Sequence, residues 1–185
     1  MSDPYTSIEM GDAELMNRSA QGDHRSFEWL VVRHQDAIVR FLGRLGVREE
    51  ADDLAQETFV RLYKQRRNYK PTAKFTTYLY TIARNVFADY CRKASRTVEQ
   101  AELELADDLP ANVVPPCDLT LDIEQALARL SDRLRPVIVL RILEGFTAEE
   151  TGEILGIPTG TVKSRLHLGF REMRKHLEVY EREYP

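Results

Sequence analysis

Residues Thr147 to Lys175 constrain the fold of this chain more than any other stretch. Thr147 is a good helix N-cap, and Glu150 three positions on completes a capping box. Ile154 and Leu155 give the short helix that follows an apolar side. Gly156 then stops it, because glycine accepts the positive φ of a sharp turn. Pro158 suits the first turn of a second helix, where its missing N–H goes unused. Along that second helix Val162, Leu166, Phe170, Met173 and Leu177 fall on one face. Thr161, Lys163, Ser164, Arg165, His167 and Arg171 are left facing elsewhere. The spacing predicts a helix-turn-helix whose second member can enter a DNA major groove. An ordinary helical hairpin shares the amphipathic pattern. From Pro158 to Leu177, however, there are five bases against one acid, Glu172, and a merely solvated face mixes the two signs.

The rest of the chain reads as helix too. No sustained period-2 alternation and no Asn-Gly or Asp-Gly hairpin turn is found, while helical periodicity dominates. A first helix is expected from Asp12 to about Ala20. Asp23 then caps a long second one, with Phe27, Leu30, Val31, His34, Ile38, Phe41, Leu42 and Leu45 as its apolar stripe and Gly46 as its stop. A third spans roughly Arg48 to Arg67, with Ala51, Leu54, Ala55, Thr58, Phe59 and Leu62 inward. Asn68 to Lys74, containing Pro71, reads as a loop. A fourth helix runs from about Phe75 to Ser95. Two more, from about Leu121 to Leu130 and from Asp132 to Glu144, precede the helix-turn-helix.

Charge is distributed unevenly. The whole chain carries −4, which by itself argues against nucleic acid. From Arg61 to Arg96, however, ten bases meet a single acid, Asp89, for a net of +9, while from Thr97 to Glu124 eight acids meet no base. A phosphate backbone responds to such local patches and not to the net charge. The acidic block continues into Pro110, Pro115 and Pro116 with few aromatics, a linker composition with little apolar surface to offset chain entropy. The expected architecture is all-α: an N-terminal helical domain (1–96), an acidic Pro-containing linker (97–120) and a C-terminal helix-turn-helix domain (121–185).

Several function classes lack support in the sequence. The longest apolar run, Val137 to Leu140, is far too short to span a bilayer. The start, MSDPYTSIEMGD, has neither the basic nor the apolar part of a signal peptide. Cys91 and Cys117 are too few for a disulfide framework and form no metal-ligand spacing with the four histidines. A reducing cytoplasm is therefore expected. No nucleophile–base pair, phosphate-cradling loop or metal cluster points to an enzyme, so catalytic residues, metals and cofactors are all expected to be absent.

Two constellations remain. Asp52, Asp53, Gln56 and Glu57 cluster on the outer side of the third helix. Acids in the first turns of a helix often serve only the macrodipole, but a compact acidic patch on a rigid helix also suits a basic protein partner. The fourth helix and the loop before it interleave Tyr69, Tyr78 and Tyr90 with Lys70, Lys74, Arg84, Arg92 and Lys93. Rings that stack bases beside cations that track phosphates suit single-stranded nucleic acid. Phe75 and Phe87 are assigned to packing. Asn85 and Asp89 share a face with Arg92 and Lys93, and asparagine can bond a base edge in two places.

On three ordered segments the chain resembles bacterial RNA polymerase sigma factors of the extracytoplasmic-function group. ADDLAQETFVRLY (51–63) is similar to the family's core-docking helix, FTTYLYTIARNVFADYCRK (75–93) to its −10 segment, and LRPVIVLRILEGFTAEETGEILGIPTGTVKSRLH (134–167) to its −35 domain. The resemblance implies that Asp52, Asp53, Gln56 and Glu57 grip the clamp of the largest polymerase subunit. It implies that the Asn68–Lys74 loop holds a flipped −10 base, with Tyr69, Lys70, Lys74, Tyr78, Arg84, Asn85, Asp89, Arg92 and Lys93 as −10 contacts. Thr161, Lys163, Ser164, Arg165, His167 and Arg171 would then meet the −35 groove and its phosphates. The acidic linker either threads the RNA-exit region or is a plain solubilising tether. The resemblance further implies core polymerase, promoter DNA and an anti-sigma protein as partners. Tyr78 stands where the family commonly has Trp, and Leu168 and Phe170 where members often carry Arg.

Two rivals make different demands. A stand-alone helix-turn-helix regulator has no use for the basic, aromatic fourth helix. A decoy that binds polymerase without reading DNA has no use for Lys163 and Arg165.

Overall fold

A computed structural model describes the backbone of residues 10–101 and 119–183 and the side chains of 10–94 and 123–175. Residues 1–9 of the N-terminal segment read above for a signal peptide, the acidic linker (97–120) and Leu177 lie outside the described side chains. Every regular element among the described residues is helical.

Helix α1 (Asp12–Ala20) is tied to α2 (His24–Arg44) through Asp12, whose carboxylate meets both Arg33 and, at 2.9 Å, His34. Burial works against the Asp12 carboxylate, but the His34 and Arg33 bonds outweigh it and hold the group below its ordinary range. Asp23 caps α2 by accepting the Ser26 amide at 3.3 Å. Gly46 ends the connection at φ +112°, and a Cβ there would sit 2.8 Å from Nη1 of Arg135. Helix α3 (Ala51–Gln65) ends in a 3₁₀ turn, Arg66–Asn68, and α4 runs from Phe75 to Ala101. The second stripe, therefore, is as expected in Leu30, Ile38, Phe41, Leu42 and Leu45, all buried. Helix α4 is longer than the expected end at Ser95.

The C-terminal half comprises α5 (Leu119–Arg129), a short α6 (Arg135–Ile138), α7 (Ala148–Leu155) and α8 (Thr159–Glu183). The single helix expected from about Asp132 to Glu144 is continuous but not α throughout. It begins three residues late and widens after Ile138 into a π turn, Val139–Leu143. There the Glu144 amide reaches back to the Val139 carbonyl at 3.0 Å and the Phe146 amide to Leu140 at 3.0 Å. Arg135 stitches this half together: its guanidinium donates to the carbonyls of Leu127, Ala128 and Leu130 at 2.9 Å and, across the molecule, to Leu45 at 2.8 Å.

The two halves are not held apart. Helix α4 lies against α7, and the Tyr80 ring sits between Phe41 (4.9 Å between centroids) and Phe146 (4.8 Å). One hydrophobic core therefore runs from Leu15 to Val162. Burying such aromatics on both sides contributes on the order of 2 kcal/mol per ring.

Candidate nucleic-acid interface

The helix-turn-helix is built from the punctuation in its sequence. Thr147 Oγ1 accepts the Glu150 amide at 3.1 Å, and Glu150 Oε2 accepts the Thr147 amide at 2.8 Å. Gly156 takes the left-handed conformation at φ +66°. Gly152 lets the turn close tightly, since a Cβ on it would lie 2.8 Å from the Ile157 carbonyl.

Along α8 the described side chains sort differently from the apolar pattern. Val162 is buried and Leu166 and Met173 are partly buried, but Phe170 is 46% exposed. Its expected inward place belongs to Gly169, whose Cα abuts Ile138 so closely that a Cβ would stand 2.8 Å from that side chain. Glycine carries no hydropathy signal, so periodicity selects its neighbour. Lys163, Ser164, His167 and Arg171 are exposed and recur at helical spacing, forming one outward stripe with Leu168. Thr161 and Arg165 are half-buried on another side. Arg165 lines a groove of about 590 Å³ between the halves, opposite Arg84, Phe87 and Cys91 of α4. The six residues expected at −35 are thus split into four outward and two half-buried, of which Arg165 lines the groove.

The −10 candidates are also divided. Lys70, Asn85, Arg92 and Lys93 are exposed. Tyr69 is a correction: it is buried at 9% exposure, with its ring edge-on to Phe75 at 6.1 Å, so it is a core residue and not a platform for a base. Burial, then the nearby Asp12 charge, pushes its phenol up. Tyr78 is half-buried beside Tyr69 and donates to Gln65 Oε1 at 3.2 Å. Tyr90 donates to Glu50 at 2.9 Å. Lys74 reaches the helix-turn-helix, where its ammonium lies 2.8 Å from Glu150 Oε1. That ion pair, followed by the Thr147 amide, holds the Glu150 carboxyl below its ordinary range.

Asp52, Asp53 and Gln56 are exposed and Glu57 is half-exposed, all on the outer side of α3. Val60, one turn on from Gln56 and Glu57, shares that face at 44% exposure. It is absent from the sequence-based set because a lone valine in an amphipathic helix reads as core. Arg61 bridges this face to α4. It donates from Nη2 to Glu57 Oε1 and from Nη1 to Asp89 Oδ2, each at 2.6 Å, while Arg92 holds the other Asp89 oxygen.

Two residues outside the sequence-based site set join the halves: Tyr80, one of the aromatics interleaved along the fourth helix, and Glu144. The Tyr80 phenol donates to Glu144 Oε2 at 2.7 Å and Arg44 donates to Glu144 Oε1 at 2.9 Å. Burial and the adjoining carboxylate push the phenol far up, so it stays protonated as a donor. Arg48 adds a more exposed pair with Glu124 at 2.6 Å. Among the described residues no group of three His, Cys, Asp or Glu is arranged to hold a metal, and no described helix is long and apolar enough to cross a membrane.

Residues 30–97 match the Sigma-70 region 2 family and residues 126–175 match Sigma-70, region 4. The chain is 36% identical to the ECF RNA polymerase sigma factor SigW of Bacillus subtilis over 184 residues, covering 92% of this chain and 98% of that protein. It is 36% identical over 165 residues to the ECF RNA polymerase sigma factor SigE of Mycolicibacterium smegmatis, covering 85% and 64%. Among solved structures, the sigma factor RpoE from Bartonella quintana, in complex with the anti-sigma factor NepR, is similar at a TM-score of 0.71 and 26% identity, covering 84% of this chain and 98% of that one.

Proposed function

Because the chain belongs to the ECF family of RNA polymerase sigma factors, we propose that it directs core polymerase to a set of promoters in the cytoplasm and starts transcription there. It is a regulatory DNA-binding subunit and supplies no catalytic group of its own. The outer face of α3, with Asp52, Asp53, Gln56, Glu57 and Val60, docks on the polymerase clamp. Helix α4, through Asn85, Arg92 and Lys93, takes the unwound −10 strand. The α8 stripe of Lys163, Ser164, His167 and Arg171 reads the −35 duplex, with phosphate contacts fixing its register. The observation that carries this is that stripe: four polar or basic side chains presented together on a helix whose entry turn is rigidly built.

A consequence for conformation follows from size. A folded chain of this length has a radius of gyration near 16 Å. The −10 and −35 elements, named for positions about 25 base pairs apart, are separated by roughly 85 Å of duplex at about 3.4 Å per base pair. The closed arrangement cannot reach both. Lys74 is engaged by Glu150, and Arg165 sits in the groove facing α4. On the promoter the halves must part, and the Tyr80, Lys74 and Arg44 contacts must break. An anti-sigma partner, of the kind bound by RpoE, would act by holding the free chain closed.

The test uses the purified chain, bacterial core polymerase and sheared genomic DNA from the source organism, with mapping of transcript starts. Discrete starts that require the chain and share two upstream elements are expected. Replacing Lys163 and Arg171 by Ala should erase the −35 preference. Polymerase binding without any chain-dependent start would overturn the proposal and favour an interaction-only role.

A further inference from the structure

Arg61 lies between the two working faces of the N-terminal half and belongs to neither of them. It projects from α3 one turn beyond Glu57, and α4 runs alongside. Three of its N–H groups are committed: Nε at 3.0 Å and Nη2 at 2.6 Å, both to Glu57 Oε1, and Nη1 at 2.6 Å to Asp89 Oδ2. A planar fork serves two carboxylates on different helices with donors in fixed directions, whereas a lysine ammonium is a point charge that orients neither. Asp89 is bonded on both oxygens, by Arg61 and by Arg92.

This arrangement resolves a difficulty. Asp89 is the one acid within the +9 block and stands among Asn85, Arg92 and Lys93, where it would repel an incoming phosphate. If Arg92 were its sole counterion, releasing Arg92 to DNA would strand a carboxylate. With Arg61 already on Asp89, Arg92 can exchange its carboxylate for a phosphate at little expense.

Resting on the sigma-factor function proposed above, we infer that Arg61 is a positioning residue shared by both faces: it orients Glu57 for the polymerase and neutralises Asp89 so that Arg92 is available to −10 DNA. The Asp89 and Glu57 carboxylates raise the Arg61 guanidinium, and the Arg61 and Arg92 guanidiniums in turn hold Asp89 below its ordinary range, consistent with both being charged throughout.

The experiment uses the full chain with core polymerase and a start site found by the mapping described above. Wild type, Arg61→Ala, Arg61→Gln, Asp89→Asn and the Arg61→Ala/Asp89→Asn double variant are compared for core affinity and, at saturating chain, for initiation rate. Arg61→Ala should weaken core binding about five- to tenfold and lower initiation by a similar factor. The double variant should restore initiation to within about twofold of Asp89→Asn alone while core binding stays weak. A residue that only stabilises the fold would not give that split, and a thermal melt of each variant identifies any that unfold. If Arg61→Ala melts early, Arg61→Gln, which can reach one carboxylate only, should show the same split in milder form. Unchanged core affinity and initiation in Arg61→Ala, or no rescue by Asp89→Asn, overturns the inference and leaves the function standing. A wild-type chain that starts no transcript sinks the function, and this inference with it.

Discussion

The Tyr80 phenol and the Glu144 carboxylate, 64 residues apart in sequence, meet at 2.7 Å in the seam between the halves. Tyr80 is 5% exposed and the Glu144 side chain 11%, so the bond is shielded from water and directed at a charge. Tyr80→Phe keeps the ring contacts with Phe41 and Phe146 and removes only the donor. It should lower the unfolding free energy by about 1–3 kcal/mol, read as a shift in urea midpoint. Small-angle scattering of the free chain should show a larger radius of gyration. A stability equal to wild type with an unchanged radius would mean that the seam does not depend on this pair.

Acid should loosen the same seam through Glu150. Its folded pKa lies below the ordinary 4.5, chiefly because of Lys74. A carboxyl depressed in the folded state stabilises fully above its unfolded value and loses that contribution as pH falls through the folded one. The urea midpoint should therefore hold steady from neutral pH down to about 5 and fall below about 4.5. In Glu150→Gln the amide still serves the capping box but cannot titrate, so part of the acid sensitivity should vanish. An identical pH profile for the two proteins would show that Glu150 is not involved.

What was legible in the sequence was local. The capping box, Gly156 and Asp23 each act within a few residues, and each stands where the spacing put it. The all-helical class followed from periodicity, and the wide turn at Val139–Leu143 did not, because it depends on how α6 is drawn over the core. Phe170 and Gly169 exchanged roles for a packing reason: α8 approaches Ile138 too closely for any side chain. Tyr69 reads as an exposed loop aromatic until Phe75 and Tyr78 close over it. The Tyr80–Glu144, Arg44–Glu144 and Lys74–Glu150 contacts leave no mark in the sequence, since each partner alone looks like a surface or stripe residue. Arg61 was counted only as one more positive charge.

The turn of the helix-turn-helix gives a test of sign. Gly152→Ala should gain up to about 1 kcal/mol of helix propensity. The new Cβ, however, would stand 2.8 Å from the Ile157 carbonyl oxygen, and the Ile157 amide is itself bonded to the Gly152 carbonyl at 3.0 Å. Neither backbone atom can move without opening the turn, so strain of about 1–3 kcal/mol should prevail. Chemical denaturation should show net destabilisation. A more stable variant would mean that the approach of α7 to the turn is looser than these distances.

Leu168 tests the reading helix without disturbing the fold. It is 37% exposed and lies on the stripe with Ser164, His167 and Arg171. Leu168→Arg removes no core contact, and its effect on stability should stay within about 0.5 kcal/mol. If that stripe meets duplex DNA, the new guanidinium neutralises one further phosphate. The slope of log affinity against log salt for the holoenzyme on a promoter fragment should then steepen by about 0.9. Binding should tighten at low salt for specific and unrelated duplexes alike, because a phosphate contact carries no base information. A salt slope equal to wild type would mean that Leu168 points away from the DNA and that the stripe engages the groove by another edge.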